Sequence, residues 1–128
     1  MCQICFDEPG SHSFYFLKNE NDVNYYYTCP AMASKYWDTE GIINHYEEIL
    51  DLNGDKPWIW VFDSKDFGLK HSLQTGVAFG ILQILKDKYG KHLNEIQIIN
   101  PSIYIKSMYA VIYPFLTEEL IDIIKWDY

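Results

Sequence analysis

Three sets of residues in this 128-residue chain have types and spacings that could do chemistry. Asp63 closes the apolar run Trp58-Ile59-Trp60-Val61-Phe62, the position from which an aspartate at a strand end attacks phosphate. Enzymes of that kind need a second acid two residues on; here that position is Lys65, and Asp66 is out of register. Asp63 therefore reads as a loop cap, with a phosphohydrolase as the outlying alternative. His71 lies near Ser64 and Ser72, but neither serine has the flanking glycines of a nucleophile elbow, so this is a polar cluster at a helix start. Cys2-Gln3-Ile4-Cys5 has the spacing of a zinc knuckle. A zinc site needs four ligands, and the sequence offers only His12 and Cys29 to complete it, at spacings that match no known pattern. The expectation is no metal and free thiols.

Charge and composition narrow the field further. The formal net charge is −8, and residues 1–55 hold ten acids against two lysines. All ten basic residues are lysine, so the chain has no bidentate guanidinium fork for phosphate. Nucleic-acid binding is excluded on these grounds, and an anionic membrane would repel the N-terminal half, leaving transient contact at most. At 48% hydrophobic and 17% aromatic, the chain is too apolar to be disordered. No apolar run approaches the roughly 20 residues of a membrane span, and no signal peptide is visible, which points to the cytoplasm.

The elements that must position these residues follow from periodicity. Residues 1–12 have none and read as irregular. Residues 13–17 and 23–28 are aromatic runs joined by the polar stretch 18–22, an antiparallel hairpin. Asp38 or Thr39 caps a helix whose inner face is Ile42, Ile43, Tyr46, Ile49 and Leu50, and Asn53-Gly54 ends it. Residues 58–62 and 96–99 are charge-free and β-branched or aromatic, as strands buried on both faces are. Between them a helix is predicted over 72–89, with Leu73, Val77, Ile81, Leu85 and Tyr89 on one stripe and Gly76 and Gly80 set close to the sheet. Residues 103–116 read as a helix apolar on two sides that Pro114 bends or ends, and Thr117 caps a last helix with Leu120, Ile121 and Ile124 inward.

The order of these elements, with the strand end at Asp63, Gly68, Tyr89-Gly90, Ile98-Ile99-Asn100-Pro101 and Tyr113-Pro114-Phe115-Leu116, resembles the CRAL-TRIO lipid-binding domain family over about residues 38–125. The entry Asp38-Thr39-Glu40-Gly41-Ile42 is similar as well. Two motifs depart from the family: no alanine precedes Pro101, and Gly90 stands where a proline is usual. The family domain continues into a further strand and a gate helix, and this chain stops where that strand would begin.

The resemblance implies an α/β, CRAL-TRIO-like layered fold: a mixed sheet with an N-terminal antiparallel hairpin and parallel βαβ strands, helices packed on it, and residues 1–128 as one domain. It implies non-enzymatic binding of a lipid or other hydrophobic small molecule, with no cofactor. Trp60, Phe62, Ile98, Asn100, Tyr104 and Met108 would line the groove, and Lys65, Lys70 and Lys106 would meet a head group. Without a gate helix an open apolar groove would be covered by a homodimer, or filled as core in a protein-interaction module.

Overall fold

The computed structural model describes residues 2–126. Its centre is a five-stranded sheet in which spatial order repeats chain order: β1 (Tyr15–Glu20), β2 (Val23–Thr28), β3 (Trp58–Asp63), β4 (Leu93–Ile99) and β5 (Ile124–Trp126). The first pair is antiparallel and the other three are parallel, the mixed sheet expected. The β1–β2 connection is shorter than the five residues anticipated. Asn21 and Asp22 both take positive φ, 57° and 64°. That conformation belongs to a two-residue type I′ turn, so Lys18, Asn19 and Glu20 join β1, while β2 starts at Val23 as expected.

Alternation decides which side chains face the helices. Register aligns Tyr26, Trp60, Ile96 and Ile124 in one row across four strands, and Thr28, Phe62, Ile98 and Trp126 in the next. Ile59 and Val61 on the opposite face are buried too, so β3 is covered on both sides as its sequence implied. β4 is not: Leu93, Ile96 and Ile98 are buried, while Glu95, Gln97 and Ile99 are half-exposed. It starts three residues before the apolar run because Leu93 pairs with Trp58.

Helix α2 (Thr39–Asn53) matches its expectation closely. The Asp38 side chain accepts the Gly41 backbone N–H, and Gly54 closes the helix at φ 62°. Ile42, Tyr46 and Leu50 are buried. Tyr46 stacks on Phe14 with ring centroids 3.9 Å apart, and Phe14 in turn meets Tyr26 and Trp58. This aromatic block is part of the buried core.

The helix expected over 72–89 is broken. It begins early as α3 (Leu69–Ser72), pauses at Leu73 and Gln74, and resumes as α4 (Thr75–Ile84). Ser72 Oγ donates to Leu69 O at 2.7 Å, and Leu73 points to solvent rather than continuing the stripe. A wider π turn then covers Leu85–Tyr89, burying both end residues. Tyr89 is held from two sides, its carbonyl accepting Trp58 Nε1–H and its hydroxyl donating to Asp51. A Cβ at Gly90 would lie 2.5 Å from Leu85 O, so the backbone of this turn admits only glycine there. Gly76 and Gly80 do make room, but for α2 rather than the sheet: their closest neighbours are Thr39 and Ile43.

Helix α5 (Ile103–Ile112) begins on the Ser102 cap and gives way at Pro114 to a 3-10 turn, Tyr113–Phe115. Thr117 caps α6 (Glu118–Ile123) as expected, but α6 is short. Ile124, anticipated on its inner face, instead opens β5 beside β4. Residues 1–12 were expected to be irregular; among the described ones Gln3–Asp7 form α1, with no buried residue of its own.

Candidate functional site

Between the helix-facing rows of the sheet and helices α2, α4 and α5 lies a cavity of about 140 Å³. Its floor is Thr28, Trp60, Phe62, Ile96, Ile98 and Ile124, side chains that strand register sets in two adjacent rows. Val77, Ala78 and Ile81 of α4 and Ile105, Met108 and Tyr109 of α5 form walls, and Phe67 closes one side. Four of the six residues assigned to the groove from sequence are on this lining: Trp60, Phe62, Ile98 and Met108. Asn100 and Tyr104 are not. Asn100 turns its amide to Asp63 at 3.0 Å, and Tyr104 is on the exposed side of α5, where Tyr109 takes the place expected of it. Lys65, Lys70 and Lys106 are all exposed and outside the lining. Lys70 is the nearest by connection, its ammonium 5.4 Å from the ring of Tyr36, a lining residue.

Polar groups on the wall are few: Ser13, Thr28, Tyr36, His71 and Gln74 among them. His71 was set aside on sequence as part of a helix-start cluster. Its Nδ1 accepts the Gly68 backbone N–H at 3.0 Å, which leaves Nε2 carrying the ring proton as a hydrogen-bond donor. Tyr36 packs edge-on against the ring, and Phe67 lies 5.3 Å away. Contact with Tyr36, from the distant link before α2, helps set His71 at the cavity, which no local pattern signals. Burial first, and Lys70 second, lower its pKa. The unfolded chain then binds the proton more readily than the folded one, so stability is full above the ordinary histidine value of about 6.5 and declines as pH falls below it. Replacing His71 by Gln should flatten that part of the stability–pH curve, measured by urea unfolding between neutral and mildly acidic pH.

In this arrangement both carboxylate oxygens of Asp63 are engaged. Its carboxylate accepts from Tyr27 Oη at 2.5 Å, Asn100 Nδ2 at 3.0 Å and the Lys65 backbone N–H at 2.9 Å. Burial raises its pKa, but these donors together outweigh burial and hold it below the ordinary carboxylate range. The group joins β2, β3 and the turn after β4, where Asn100 sits at φ 50°. This is the loop cap expected.

The cysteine motif lands in unexpected company. Cys2, Cys5, His12 and His45 place their ligand atoms within 4.8 Å of one another. Cys29, grouped with the first three on sequence, is buried elsewhere against Lys65 O. His45 takes its place from α2, 33 positions after His12 and hidden there among a helix's polar residues.

Residues 19–127 match the CRAL/TRIO domain family. The chain belongs to the CRAL/TRIO family. The match starts in the β1–β2 hairpin, well before the stretch from residue 38 whose motifs suggested it, and it runs through β5. A comparison with curated proteins returns no match. CRAL/TRIO membership implies binding of a hydrophobic ligand, and the apolar cavity lies where strand register and three helices converge. No helix among the described residues is long and apolar enough to cross a membrane.

Proposed function

We propose that this chain binds a hydrophobic small molecule bearing a single acyl chain, without transforming it. The observation that carries the reading is the cavity itself, almost wholly apolar in its lining and bounded by residues of the sheet, α2, α4 and α5. Its size sets terms. At roughly 30 Å³ for a water-sized group, 140 Å³ admits about four or five methylenes. Burying that many is worth about 3–4 kcal/mol, which alone supports only about millimolar affinity. Pockets that enclose larger ligands span about 300–1,000 Å³. A tight ligand would therefore have to push α4 or α5 outward, and in this reading they would hinge at the interruptions at Leu73-Gln74 and Pro114.

The polar end would stay near Tyr36, where His71 Nε2–H and Lys70 supply a donor and a positive charge. Lys65 and Lys106 serve as more distant head-group partners in the same proposal. Native mass spectrometry of the protein after incubation with dodecanoate, and lipid extraction of the purified protein, test the reading. A retained acyl ligand supports it; a chain that holds neither co-purifying lipid nor dodecanoate overturns it. Lys70→Glu should weaken dodecanoate about fivefold, equivalent to about 1 kcal/mol, and leave dodecanol unaffected, as read by competition titration.

A second reading rests on a separate observation. Ile103, Val111, Tyr113 and Phe115 expose their side chains on α5 and the turn after it, with Phe115 67% accessible. An apolar surface of that kind suits a homodimer contact better than bare solvent. Sedimentation equilibrium of the wild type against Phe115→Lys distinguishes this from a monomeric binder.

A further inference from the structure

We propose that Cys2, Cys5, His12 and His45 form a structural zinc site that fastens the N-terminal segment to α2. Zinc is held tetrahedrally by thiolate sulfur at about 2.3 Å and imidazole nitrogen at about 2.0–2.1 Å. Those bond lengths put sulfur and nitrogen about 3.5 Å apart along a tetrahedral edge. The distances found are 3.5 Å from Cys2 Sγ to His12 Nδ1, and 3.6 Å from Cys5 Sγ to the Nδ1 of both His12 and His45.

The far sides of both rings complete the arrangement. His45 Nε2 is 2.7 Å from the Phe14 carbonyl, which can only accept, so the ring proton is on Nε2 and the Nδ1 lone pair faces the sulfurs. His12 Nε2 lies 3.0 Å from Asp38 Oδ2, which fixes the same tautomer. A carboxylate and a backbone carbonyl behind the ligating imidazoles are the usual outer partners of zinc-bound histidine. Asp38 serves twice, since its other oxygen caps α2 through the Gly41 N–H. A Cβ at residue 41 would collide with that carboxylate and with Ile4, so glycine there keeps α1, Asp38 and α2 in contact.

The donor set selects the metal. Two thiolates and two imidazoles suit zinc rather than the all-oxygen cations, and donor atoms all within 4.8 Å of one another surround room for a single ion rather than a two-iron cluster. Four protein ligands fill the coordination sphere and leave no position for substrate, so the role is structural. It has something to hold: α1 buries no residue of its own. Cys2, Cys5 and His45 also border an open cleft with Phe6 and Leu52, which gives a metal a route from solvent.

The test uses the full chain without a histidine tag, kept reduced. Stripped protein titrated with cobalt should take up one equivalent and develop the visible absorption of tetrahedral cobalt with sulfur ligands. Zinc should then displace that cobalt stoichiometrically. Cys29→Ser should behave as wild type, His45→Gln should lose the absorption, and Asp38→Asn should weaken cobalt binding about 10- to 100-fold. Zinc loading should also slow alkylation of Cys2 and Cys5 and amide exchange over residues 3–7. The proposal is overturned if the reduced wild type develops no tetrahedral cobalt spectrum, a result that needs no variant to fold. It is also overturned if His45→Gln keeps that spectrum, or if Cys2 and Cys5 form a disulfide that persists when zinc is in excess.

Discussion

Asp63→Ala should lower the stability of the fold by about 3 kcal/mol, the largest loss expected from a single polar side chain in this protein. The substitution removes one carboxylate and strands three donors, the Tyr27 hydroxyl, the Asn100 amide and the Lys65 backbone N–H. Each buried donor left without a partner costs about 1–3 kcal/mol, moderated here by water reaching the more open side of the group. Asp63→Asn keeps an acceptor for two of the three and should lose less than half as much. The two variants also differ with pH. Because the folded-state pKa of Asp63 is depressed, its contribution is full above the ordinary aspartate value of about 3.9 and disappears as pH drops through the lower folded value. Urea unfolding of wild type should show that acid decline, and Asp63→Asn should show less of it. Equal stability of Asp63→Ala and wild type would mean the three donors find other partners.

Ala78→Phe should abolish dodecanoate binding, with a loss of about 100-fold or more, while the protein stays folded. Ala78 lines the cavity from α4. A phenyl ring is the size of the benzene that an apolar cavity of about 150 Å³ accepts, close to the 140 Å³ here. The new ring thus occupies the space that acyl methylenes would, removing about 3 kcal/mol of burial from the ligand. Filling a void costs the fold little, and thermal unfolding should stay near that of wild type. Unchanged dodecanoate affinity in a folded Ala78→Phe protein would place the ligand outside this cavity.

The core frame was legible in the sequence because its signals are local. Trp58 to Phe62 is a charge-free run, and α2 with its two caps carries a capping aspartate, an apolar stripe and a terminal glycine within seventeen residues. What escaped was set by contacts between distant segments. The break between α3 and α4 follows from Ser72 and His71 turning back on their own loop, though the i+4 stripe runs through it without interruption. β5 is a strand because β4 offers it an edge; alone, Ile124-Lys125-Trp126 continues a helical pattern. The same holds for the sites. Strand alternation and register set Trp60, Phe62 and Ile98 on one face of the sheet, since residues two apart share a face. His71 and His45 reach their places only through the fold, one beside the cavity and the other beside the cysteines.

The agreement of spatial with chain order across the five strands bears on how the protein is made. Synthesis proceeds from the N-terminus, and a strand emerging from the ribosome finds its neighbour already laid down. Growth then advances from one edge only, with no slot held open for a latecomer. Unlike sheets whose middle strand is supplied last, this one adds each strand beside the one made just before it, and among the described residues β5 is the last to join.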